Sequence, residues 1–395
     1  MNHLFVSQDY GPHLGGMARR HVELCRRFGT EEERIEVSTM QLSGSAQFDS
    51  GEPYPIHRQP FDFSAANRFS NQMKWGRWLR GYISDRVDVI HLGNIRPVGY
   101  ALEIANVGKG LPYLVYVNGG DLLRERRKAA RDRVKRFSAK RILGNAAGIV
   151  ATSKWVAELS GEVMQQVGVK HMPPVGAFDL GTDPAAFSPM RDTRTLRARW
   201  GVGDAPLLLT VARLVPHKGQ DAGIRALAAL AGDLSDLRYI LVGEGHDEVR
   251  LRDLAQSLGI LDRIVFAGTL DDSELAEAYA TATIYVGASR IDSDVNAEGF
   301  GISFVEAAAS GLPVVAGDSG GVRSAVRHGE TGMVVPPQDV EAIAAEIRSF
   351  IIDEARRVRF GTAGRKAVET HYNWDRVARD TRRFTLDVVN AGKRA

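Results

Sequence analysis

Short apolar runs alternate with longer segments of helical periodicity along most of this chain. The runs are nearly continuous in hydrophobic residues, which is typical of strands covered on both faces of a sheet. Strands are predicted at residues 3–7, 87–92, 112–117 and 147–152, and again at 206–212, 237–242, 263–267, 283–287, 312–316 and 332–335. Because helical segments separate these strands, the pattern predicts an α/β architecture with parallel, doubly wound sheets.

A turn-rich stretch divides the chain into two halves. Prolines and glycines cluster between residues 173 and 189, a composition that interrupts both helices and strands. We therefore predict one domain at residues 1–190, a second at 191–370, and a closing segment at 371–395. Residues 374–389 have the pattern of an amphipathic helix, which we expect to pack back toward the first domain. Two doubly wound domains would leave a ligand cleft at the carboxyl ends of their strands.

Composition narrows the class of protein. Of the 395 residues, 44% are hydrophobic and 25% are charged, which indicates a globular protein of two or three domains and excludes a disordered or fibrous chain. The chain starts with a predicted strand and has no apolar run of about 18 residues, so we expect neither a signal peptide nor a membrane span. The single cysteine, Cys25, excludes an intramolecular disulfide and a cysteine-based zinc site. A lone thiol suits a cytoplasmic protein.

Positive charge is concentrated in the first half of the chain. The net charge is +3, but residues 1–190 hold 25 Lys and Arg against 19 Asp and Glu, an excess too mild to indicate nucleic-acid binding. Residues 124–141 carry ten basic and two acidic side chains. Residues 61–80 interleave basic residues with Phe61, Phe63, Phe69, Trp75 and Trp78. Such segments suit peripheral contact with an anionic membrane at its inner face, or a polyanionic acceptor; a solvated basic helix beside an aromatic core edge is the alternative.

A glycine pair follows the first predicted strand. Gly15 and Gly16 open a predicted helix at residues 18–28, where backbone amides at a helix N-terminus can hold an anion. The spacing does not match Gly-x-Gly-x-x-Gly, so the dinucleotide-binding fingerprint is absent. A structural turn is the alternative interpretation.

Two cations stand five residues apart in the loop after the predicted strand at 206–212. Arg213 offers a planar fork for phosphate oxygens, and Lys218 acts as a point charge. Together they could neutralise a diphosphate without a metal ion. Two solvated surface charges are the alternative.

Two carboxylates flank a glycine-containing turn near residue 300. Glu298 lies in the loop, and Glu306 lies within a helix that is predicted to begin near Ser303, whose first amides can bind phosphate. A glycosidase-like carboxylate pair is one option, but hydrogen bonding to sugar hydroxyls fits better beside a phosphate site. A capping carboxylate and a helix-surface carboxylate are the structural alternative. The nearby Asp271-Asp272-Ser273 lacks Asp-x-Asp spacing and is interpreted as a helix N-cap.

These motifs, taken in order, resemble the retaining GT-B glycosyltransferases of family 4, also called glycosyl transferases group 1. The resemblance covers nearly the whole chain and includes residues 181–189, 241–245 and 328–336. It implies two Rossmann-like domains facing a central cleft, with the acceptor on the first and the nucleotide sugar on the second. The implied reaction moves a hexose-type sugar from a nucleotide diphosphate sugar to a hydroxyl acceptor, which is a glycan, a lipid-linked sugar or a small molecule. The family's habit favours UDP over GDP, with no metal and no cofactor.

The resemblance also implies roles for individual residues. Arg213 and Lys218 would hold the donor diphosphate, Glu298 would contact hydroxyls of the transferred sugar, and Glu306 would contact the ribose. Backbone amides of Gly15 and Gly16 and of the turn at 300–304 would add to the diphosphate site. The remaining donor-binding candidates are Phe300, Gly301, Ile302, Ser303, Phe304, Glu244, Phe266 and Leu270.

The chain departs from the family pattern at three places. Asn118 stands where the family usually has a histidine, and it can keep a carbonyl near the reacting centre but cannot titrate. Asp121 is a candidate for orienting or deprotonating the acceptor, or for capping the following helix. Gly320-Gly321 precedes a position where Pro-Glu is more common, and residues 289–296 form a longer polar run ahead of Glu298.

Two rival functions stay open at this point. One is a GT-B hydrolase, phosphorylase or epimerase of sugar nucleotides, which would release product without an added acceptor. The other is a non-catalytic nucleotide-sugar-binding protein. The joint presence of Arg213, Lys218, Glu298 and Glu306 argues against the second, whereas Asn118 keeps it open.

Overall fold

The computed structural model describes residues 1–12, 15–30, 32–61, 68–83, 86–106, 110–292 and 296–394. The chain divides into two compact units. Unit 1 comprises residues 1–178 and 374–395, and unit 2 comprises residues 179–373. Each unit is built on its own parallel sheet.

Unit 1 contains a seven-stranded sheet in the order β3-β2-β1-β4-β5-β6-β7, and every neighbouring pair is parallel. Its strands are β1 (Asn2–Val6), β2 (Arg34–Met40), β3 (Ile56–Gln59), β4 (Val89–Leu92), β5 (Tyr113–Val117), β6 (Gly148–Ala151) and β7 (Val175–Ala177). Its helices are α1 (Gly16–Phe28), α2 (Ser45–Asp49), α3 (Arg68–Tyr82), α4 (Val98–Ala105), α5 (Gly119–Arg131), α6 (Arg133–Gly144), α7 (Lys154–Val167) and the C-terminal α16 (Trp374–Arg394).

Unit 2 contains a six-stranded parallel sheet in the order β10-β9-β8-β11-β12-β13. Its strands are β8 (Leu207–Val211), β9 (Arg238–Val242), β10 (Ile264–Gly268), β11 (Ile284–Gly287), β12 (Val314–Gly317) and β13 (Gly332–Val335). Its helices are α8 (Thr195–Trp200), α9 (Gln220–Ala229), α10 (Glu248–Ser257), α11 (Asp272–Thr281), α12 (Ile302–Ala309), α13 (Val322–Ala325), α14 (Val340–Ile352) and α15 (Glu354–Thr370).

The strand order reverses once in each sheet. The reversal falls between β1 and β4 in unit 1, and between β8 and β11 in unit 2. At such a switch point the loops after the two strands run to opposite faces of the sheet, and the crevice between them is where doubly wound proteins bind ligands. The ligand-binding loops are therefore expected after β1 and β4 in unit 1, and after β8 and β11 in unit 2.

The α/β prediction is confirmed, and all ten predicted strands are present with ends shifted by at most two residues. Three strands were not predicted: β2, β3 and β7. In β2, charged Arg34 and Glu36 alternate with buried Ile35 and Val37, so no continuous apolar run marks it. Strands β3 and β7 form the two edges of the sheet, where one side of the strand has no neighbour to bury it.

Unit 2 begins at residue 179, whereas the sequence predicted a domain boundary near residue 190. The amide of Thr182 donates to the carbonyl of Tyr372 at 2.9 Å. The Arg365 guanidinium donates to the carbonyls of Pro184 and Phe187, both at 2.8 Å. These bonds attach the linker to unit 2, and a proline- and glycine-rich composition cannot indicate to which side a linker will bond.

The C-terminal helix α16 belongs to unit 1 and not to a separate segment. Its Asp375 carboxylate accepts from Nε of Arg27 on α1 at 2.7 Å, and its Arg382 pairs with Glu33. The Phe384 ring lies 5.6 Å from that of Phe178. The helix starts at Trp374, as predicted, and continues past residue 389 to Arg394.

A substitution at Gly361 tests how tightly α15 packs against α12. A Cβ atom at this position would lie 2.0 Å from the backbone carbonyl oxygen of Gly311, which cannot swing away as a side chain can. We expect Gly361→Ala to lower the free energy of unfolding of unit 2 by about 1–3 kcal/mol, because overpacking forces the backbone to shift. Urea denaturation measures this. Thr362→Ala, on the exposed face of the same helix, is the control and should change stability by less than about 0.7 kcal/mol. Equal stabilities of the two variants would contradict this packing.

Candidate active site

The switch point of unit 2 brings together Lys218 and Glu298. Lys218 ends a 3-10 turn (Pro216–Lys218) after β8, and its Nζ lies 2.6 Å from Oε2 of Glu298. The two side chains are only 20% and 14% exposed. Gly219, at φ +74°, lets this turn approach β11, because a Cβ there would stand 1.9 Å from the Ala288 carbonyl oxygen. The sequence predicted both residues but not their direct contact.

The charges at this site are set by burial and by the Lys218 ammonium. Burial alone would raise the pKa of Glu298, but the charge and hydrogen bond of Lys218 outweigh burial and hold that pKa below its ordinary value. Ser289 Oγ adds a long contact of 3.4 Å. Burial, and then Lys218, lower the pKa of His217 to about 4. At neutral pH the site therefore holds an anionic Glu298 and an uncharged His217.

Arg213 is a second cation in the loop that contains Lys218, and it is not part of the Lys218–Glu298 ion pair. Its side chain is exposed, and among the described residues no carboxylate lies within ion-pair distance of its guanidinium. Its own carbonyl accepts from Nε2 of Gln220 at 2.9 Å, which anchors the loop to α9. Lys218 and Glu298 compensate one another, whereas the Arg213 guanidinium has no carboxylate to compensate it in the described part of this loop.

Helix α12 begins at Ile302, one residue before the predicted start. Its N-cap is Gly301 at φ +93°, where a Cβ would stand 2.4 Å from the Phe304 ring. Phe300 and Phe304 are buried, so they support the turn from within. The first amides of the helix, at Ile302 and Ser303, have no partners within the helix itself. The Glu298 carbonyl accepts from the Gly321 amide at 2.8 Å, which fixes the loop ahead of the helix.

Glu306 lies inside α12 and is buried. Its Oε2 accepts from the hydroxyl of Tyr279 at 2.8 Å, so the alternative of a helix-surface carboxylate is wrong. The carboxylates Glu298 and Glu306 have different donors, Lys218 and Tyr279. Tyr279 lies on α11, and no motif in the sequence connected it to this site.

The candidates for the base region lie on β9, on β10 and just beyond them. Glu244 follows β9, and Thr269 Oγ1 reaches its Oε1 at 3.5 Å. Phe266 on β10 is half-buried, and the Arg252 guanidinium stacks over its ring at 4.0 Å from the centroid. Leu270 is also half-buried. Arg252 lies on α10. The sequence did not indicate its contact with Phe266, because cations on the exposed face of a helix are common.

The two unusual loops of unit 2 adjoin this site. In the polar run, Arg290 forms a bidentate ion pair with Asp221 at 2.8 and 3.2 Å. Asp292 and Asn296 exchange two backbone hydrogen bonds, and residues 293–295 lie outside the described residues. Gly320 and Gly321 lead into the short helix α13.

The remaining predicted residues belong to unit 1. Gly15 is the N-cap of α1 and Gly16 its first residue, with no side-chain cap on this end. A Cβ on Gly15 would have nothing within 4 Å. His13 and Leu14 of the same loop lie outside the described residues.

Asn118 and Asp121 lie at the start of α5. Asn118 is the N-cap, and its amide donates to Oδ1 of Asp121 at 2.8 Å. The helix-capping alternative for Asp121 is therefore confirmed. Its second oxygen, Oδ2, is buried and has no partner among the described residues. Burial raises the pKa of Asp121 to about 7, so this carboxyl group gains or loses its proton near neutral pH.

In the basic and aromatic segments at residues 61–80 and 124–141, some aromatic side chains lie in the core and others on the surface. Trp75 is buried, and its Nε1 donates to Ser38 Oγ at 2.9 Å. Phe69 on α3 and Phe137 on α6 are exposed, and Phe63 lies outside the described residues. The interpretation of an aromatic core edge thus holds for Trp75 but not for Phe69.

Asp271 caps α11 as predicted, through a reciprocal pair of hydrogen bonds with Glu274 at 2.9 and 3.2 Å. Across the described residues there is no group of three His, Cys, Asp or Glu side chains that could hold a metal ion. In the same part of the chain, no helix combines the length and the apolar character needed to span a membrane.

Two family models match the chain, one in each unit. Residues 192–367 match the model described as "Glycosyl transferases group 1". Residues 15–168 match the model described as "Glycosyl transferase 4-like domain". The two matches cover all of the strands of unit 2 and those of unit 1 except β1 and β7.

Curated relatives carry glycosyltransferase names. A GDP-mannose-dependent alpha-(1-6)-phosphatidylinositol monomannoside mannosyltransferase of Mycobacterium tuberculosis is 27% identical over 383 residues, which is 95% of each chain. A D-inositol 3-phosphate glycosyltransferase of Acidothermus cellulolyticus is 32% identical over 248 residues, which is 60% of this chain and 53% of the relative.

Solved structures share the fold. HepE of Anabaena, in complex with UDP and glucose, matches with a TM-score of 0.77 at 21% identity over 98% of this chain and 99% of its own. Sucrose-phosphate synthase of Thermosynechococcus elongatus matches with a TM-score of 0.77 at 22% identity over 99% of both chains. With both family models matched and both sheets present, this chain belongs to the family 4 glycosyltransferases and has the GT-B fold.

Proposed function

We propose that this protein transfers a mannosyl residue from GDP-mannose to a hydroxyl group of an inositol-containing acceptor, with retention of configuration and without a metal ion. The observation that carries the proposal is the partly buried Lys218–Glu298 pair, with the uncompensated Arg213 in the same loop as Lys218, at the switch point of unit 2. The donor is suggested by the GDP-mannose-dependent relative that aligns with 95% of this chain. The earlier preference for UDP has no support among these relatives, and HepE supports only the fold.

The donor diphosphate would be held by charge-assisted hydrogen bonds. Arg213 can offer two parallel N–H groups to phosphate oxygens, and Lys218 adds a second positive charge. The open amides at the start of α12 add fixed partial charge of the same sign. This set neutralises a diphosphate with protein groups alone, which is the reason for proposing a metal-independent reaction.

The reaction requires one bond to form as another breaks. The acceptor oxygen bonds to the anomeric carbon while the bond between that carbon and the β-phosphate oxygen breaks, and GDP departs with the electron pair. The acceptor proton passes to the departing phosphate, which keeps the balance of charge without an enzyme base. Donors already fixed around the phosphate stabilise the charge that develops there. Glu298 would orient the sugar hydroxyls, and its ion pair fixes the Lys218 ammonium.

Unit 1 also has a surface, on helix α6, that is suited to binding an anionic lipid bilayer. On α6, Phe137 is 61% and Val134 is 70% exposed. Arg133, Arg136 and Arg141 flank these two side chains on the exposed face of the helix. We propose that this face docks on anionic lipid, because apolar side chains inside a basic rim bind such membranes through both burial and charge.

The Arg213 assignment is tested by the affinity for GDP. Arg213→Ala removes charge-assisted hydrogen bonds that contribute about 1.5–3 kcal/mol each, so we expect the Kd for GDP to rise by about 10- to 100-fold in calorimetric titration. Arg348→Ala, which breaks the exposed Arg348–Asp233 pair in the same unit, is the matched control and should bind GDP normally. An unchanged Kd in Arg213→Ala would refute the diphosphate role.

The donor base is tested by thermal shift. GDP and GDP-mannose should raise the melting temperature more than UDP and UDP-glucose at equal concentration, because a ligand that binds only the folded state stabilises it by mass action. The shift should persist in EDTA. A larger shift with UDP would replace the proposed donor, and loss of the shift in EDTA would contradict metal independence. Consumption of GDP-mannose without any acceptor would favour a hydrolase instead.

Membrane docking is tested by flotation with liposomes that contain or lack anionic lipid. The unchanged protein should float with anionic liposomes and remain behind with neutral ones. The double substitution Val134→Ser and Phe137→Ser should reduce flotation several-fold without loss of stability, since both side chains are largely exposed. Val358→Ser, at an exposed apolar residue of unit 2, is the control. Flotation that is equal for all three proteins would count against this surface.

A further inference from the structure

The loops that follow β8 and β11 are joined at Arg290. The backbone amide of Arg290 donates to the carbonyl of His217 at 2.8 Å, and His217 directly precedes Lys218 in the turn after β8. On the other side, the preceding residue Ser289 places its Oγ 3.4 Å from Oε2 of Glu298. Arg290 therefore connects the residue before Lys218 with the residue that contacts Glu298.

The Arg290 side chain attaches this junction to helix α9. Its Nη1 and Nη2 donate to the two carboxylate oxygens of Asp221 at 2.8 and 3.2 Å, and the two side chains are only 16% and 18% exposed. A planar fork on a carboxylate fixes orientation as well as distance. Asp221 lies in the first turn of α9, where the helix dipole stabilises a negative charge. The loop after β11 is thus held by a helix.

The same turn of α9 holds the loop after β8. Gln220, the first residue of the helix, is buried, and its Nε2 donates to the Arg213 carbonyl at 2.9 Å. Lys218 and Gly219 lead directly into this turn. Consecutive residues of one helix, Gln220 and Asp221, therefore hold the two loops of the switch point.

The place of the Arg290–Asp221 pair in the chain sets it apart from other ion pairs of unit 2. Ion pairs contribute little to the free energy of folding, because desolvation of the two charges offsets most of their attraction. The Arg356–Glu346 pair has similar burial, at 16% and 22% exposure, and a 2.7 Å contact. It joins α15 to α14, and neither helix follows β8 or β11. The two pairs are thus matched in charge and burial but differ in what they hold.

We propose that Arg290 and Asp221 are positioning residues of the active site. Their ion pair holds the loop after β11 at the distance from the turn after β8 at which Lys218 and Glu298 meet. In this role neither residue touches the reacting groups, and their effect passes through the Lys218 ammonium. The consequence for donor binding rests on the transferase function proposed above, whereas the effect on the Lys218–Glu298 contact is a property of the protein alone.

Loss of the ion pair should change the titration of Glu298. The charged and titratable groups that face Glu298 are Lys218 and His217 from the turn after β8, and Tyr285 from β11, while Ser289 adds a hydroxyl. Burial raises the pKa of Glu298 and Lys218 lowers it, with the effect of Lys218 prevailing. If the loop moves away from Lys218 while Glu298 stays enclosed, the pKa of Glu298 must rise.

Carbon-13 NMR of the full chain, labelled at the glutamate carboxyl carbons, measures this titration, and Glu298→Gln identifies the signal. In Arg290→Gln and in Asp221→Asn, the pKa of Glu298 should be higher than in the unchanged protein. The double variant should shift it no further than the larger single effect, because each substitution removes the same interaction. Arg356→Gln is the matched control and should leave the pKa of Glu298 where it is. An unchanged pKa in both single variants would overturn the proposal.

Calorimetric titration with GDP measures the consequence for the donor site. The Kd should rise at least about 5-fold in Arg290→Gln, because a displaced Lys218 ammonium forms a weaker charge-assisted hydrogen bond. Arg356→Gln should bind GDP normally, although it should lose a comparable amount of stability in urea denaturation. Equal weakening of GDP binding in Arg290→Gln and Arg356→Gln would overturn positioning in favour of a general loosening of unit 2. If the unchanged protein does not bind GDP, the proposed donor is wrong, and the titration of Glu298 still decides the positioning role.

Discussion

The strand order of the two parallel sheets governs where chemistry can occur in this protein. All strands of a parallel sheet present their carboxyl ends at one edge, and the order reverses only between β1 and β4 and between β8 and β11. At those two points the loops separate and expose backbone and side chains that would otherwise be covered. The Lys218–Glu298 pair lies at one reversal, and a cavity of about 160 Å³ lined by Asp9, Asn94 and Asp121 lies at the other. Neither group of residues would be close together with a different strand order.

The partly buried Lys218–Glu298 pair is better explained as part of a binding site than as a source of stability. Removing two charges from water costs several kcal/mol per ion, and their mutual attraction repays this only in good geometry. The short 2.6 Å contact meets that condition, but a hydrophobic pair would stabilise a sheet edge as well. What the ion pair provides is a fixed ammonium beside the Arg213 fork, in a place where Glu298 stays ionised because Lys218 lowers its pKa. A diphosphate would then meet positive groups that need no rearrangement.

The sequence predicted the fold better than it predicted contacts. Continuous apolar runs identify strands covered on both faces, which is why β8 and β11 were located correctly, whereas β2 and the edge strands lack such runs. Motif spacing brought Arg213, Lys218 and Glu298 into consideration, because their loops adjoin predicted strands. It could not supply Tyr279, which reaches Glu306 from α11, or the attachment of Thr182 to Tyr372. Those contacts depend on how distant segments pack, and no local pattern encodes them.

Asp121 caps a helix with a carboxyl group that is itself buried. A carboxylate at the third position of a helix normally caps the amide of the N-cap residue with one oxygen and gives the other to water. Here the second oxygen is buried, and burial raises the pKa of Asp121 to about 7. A capping carboxylate could have been placed with both oxygens in solvent at lower cost in free energy. The cap alone therefore does not account for the burial of Oδ2, and that burial is what makes the charge of Asp121 depend on pH near neutrality.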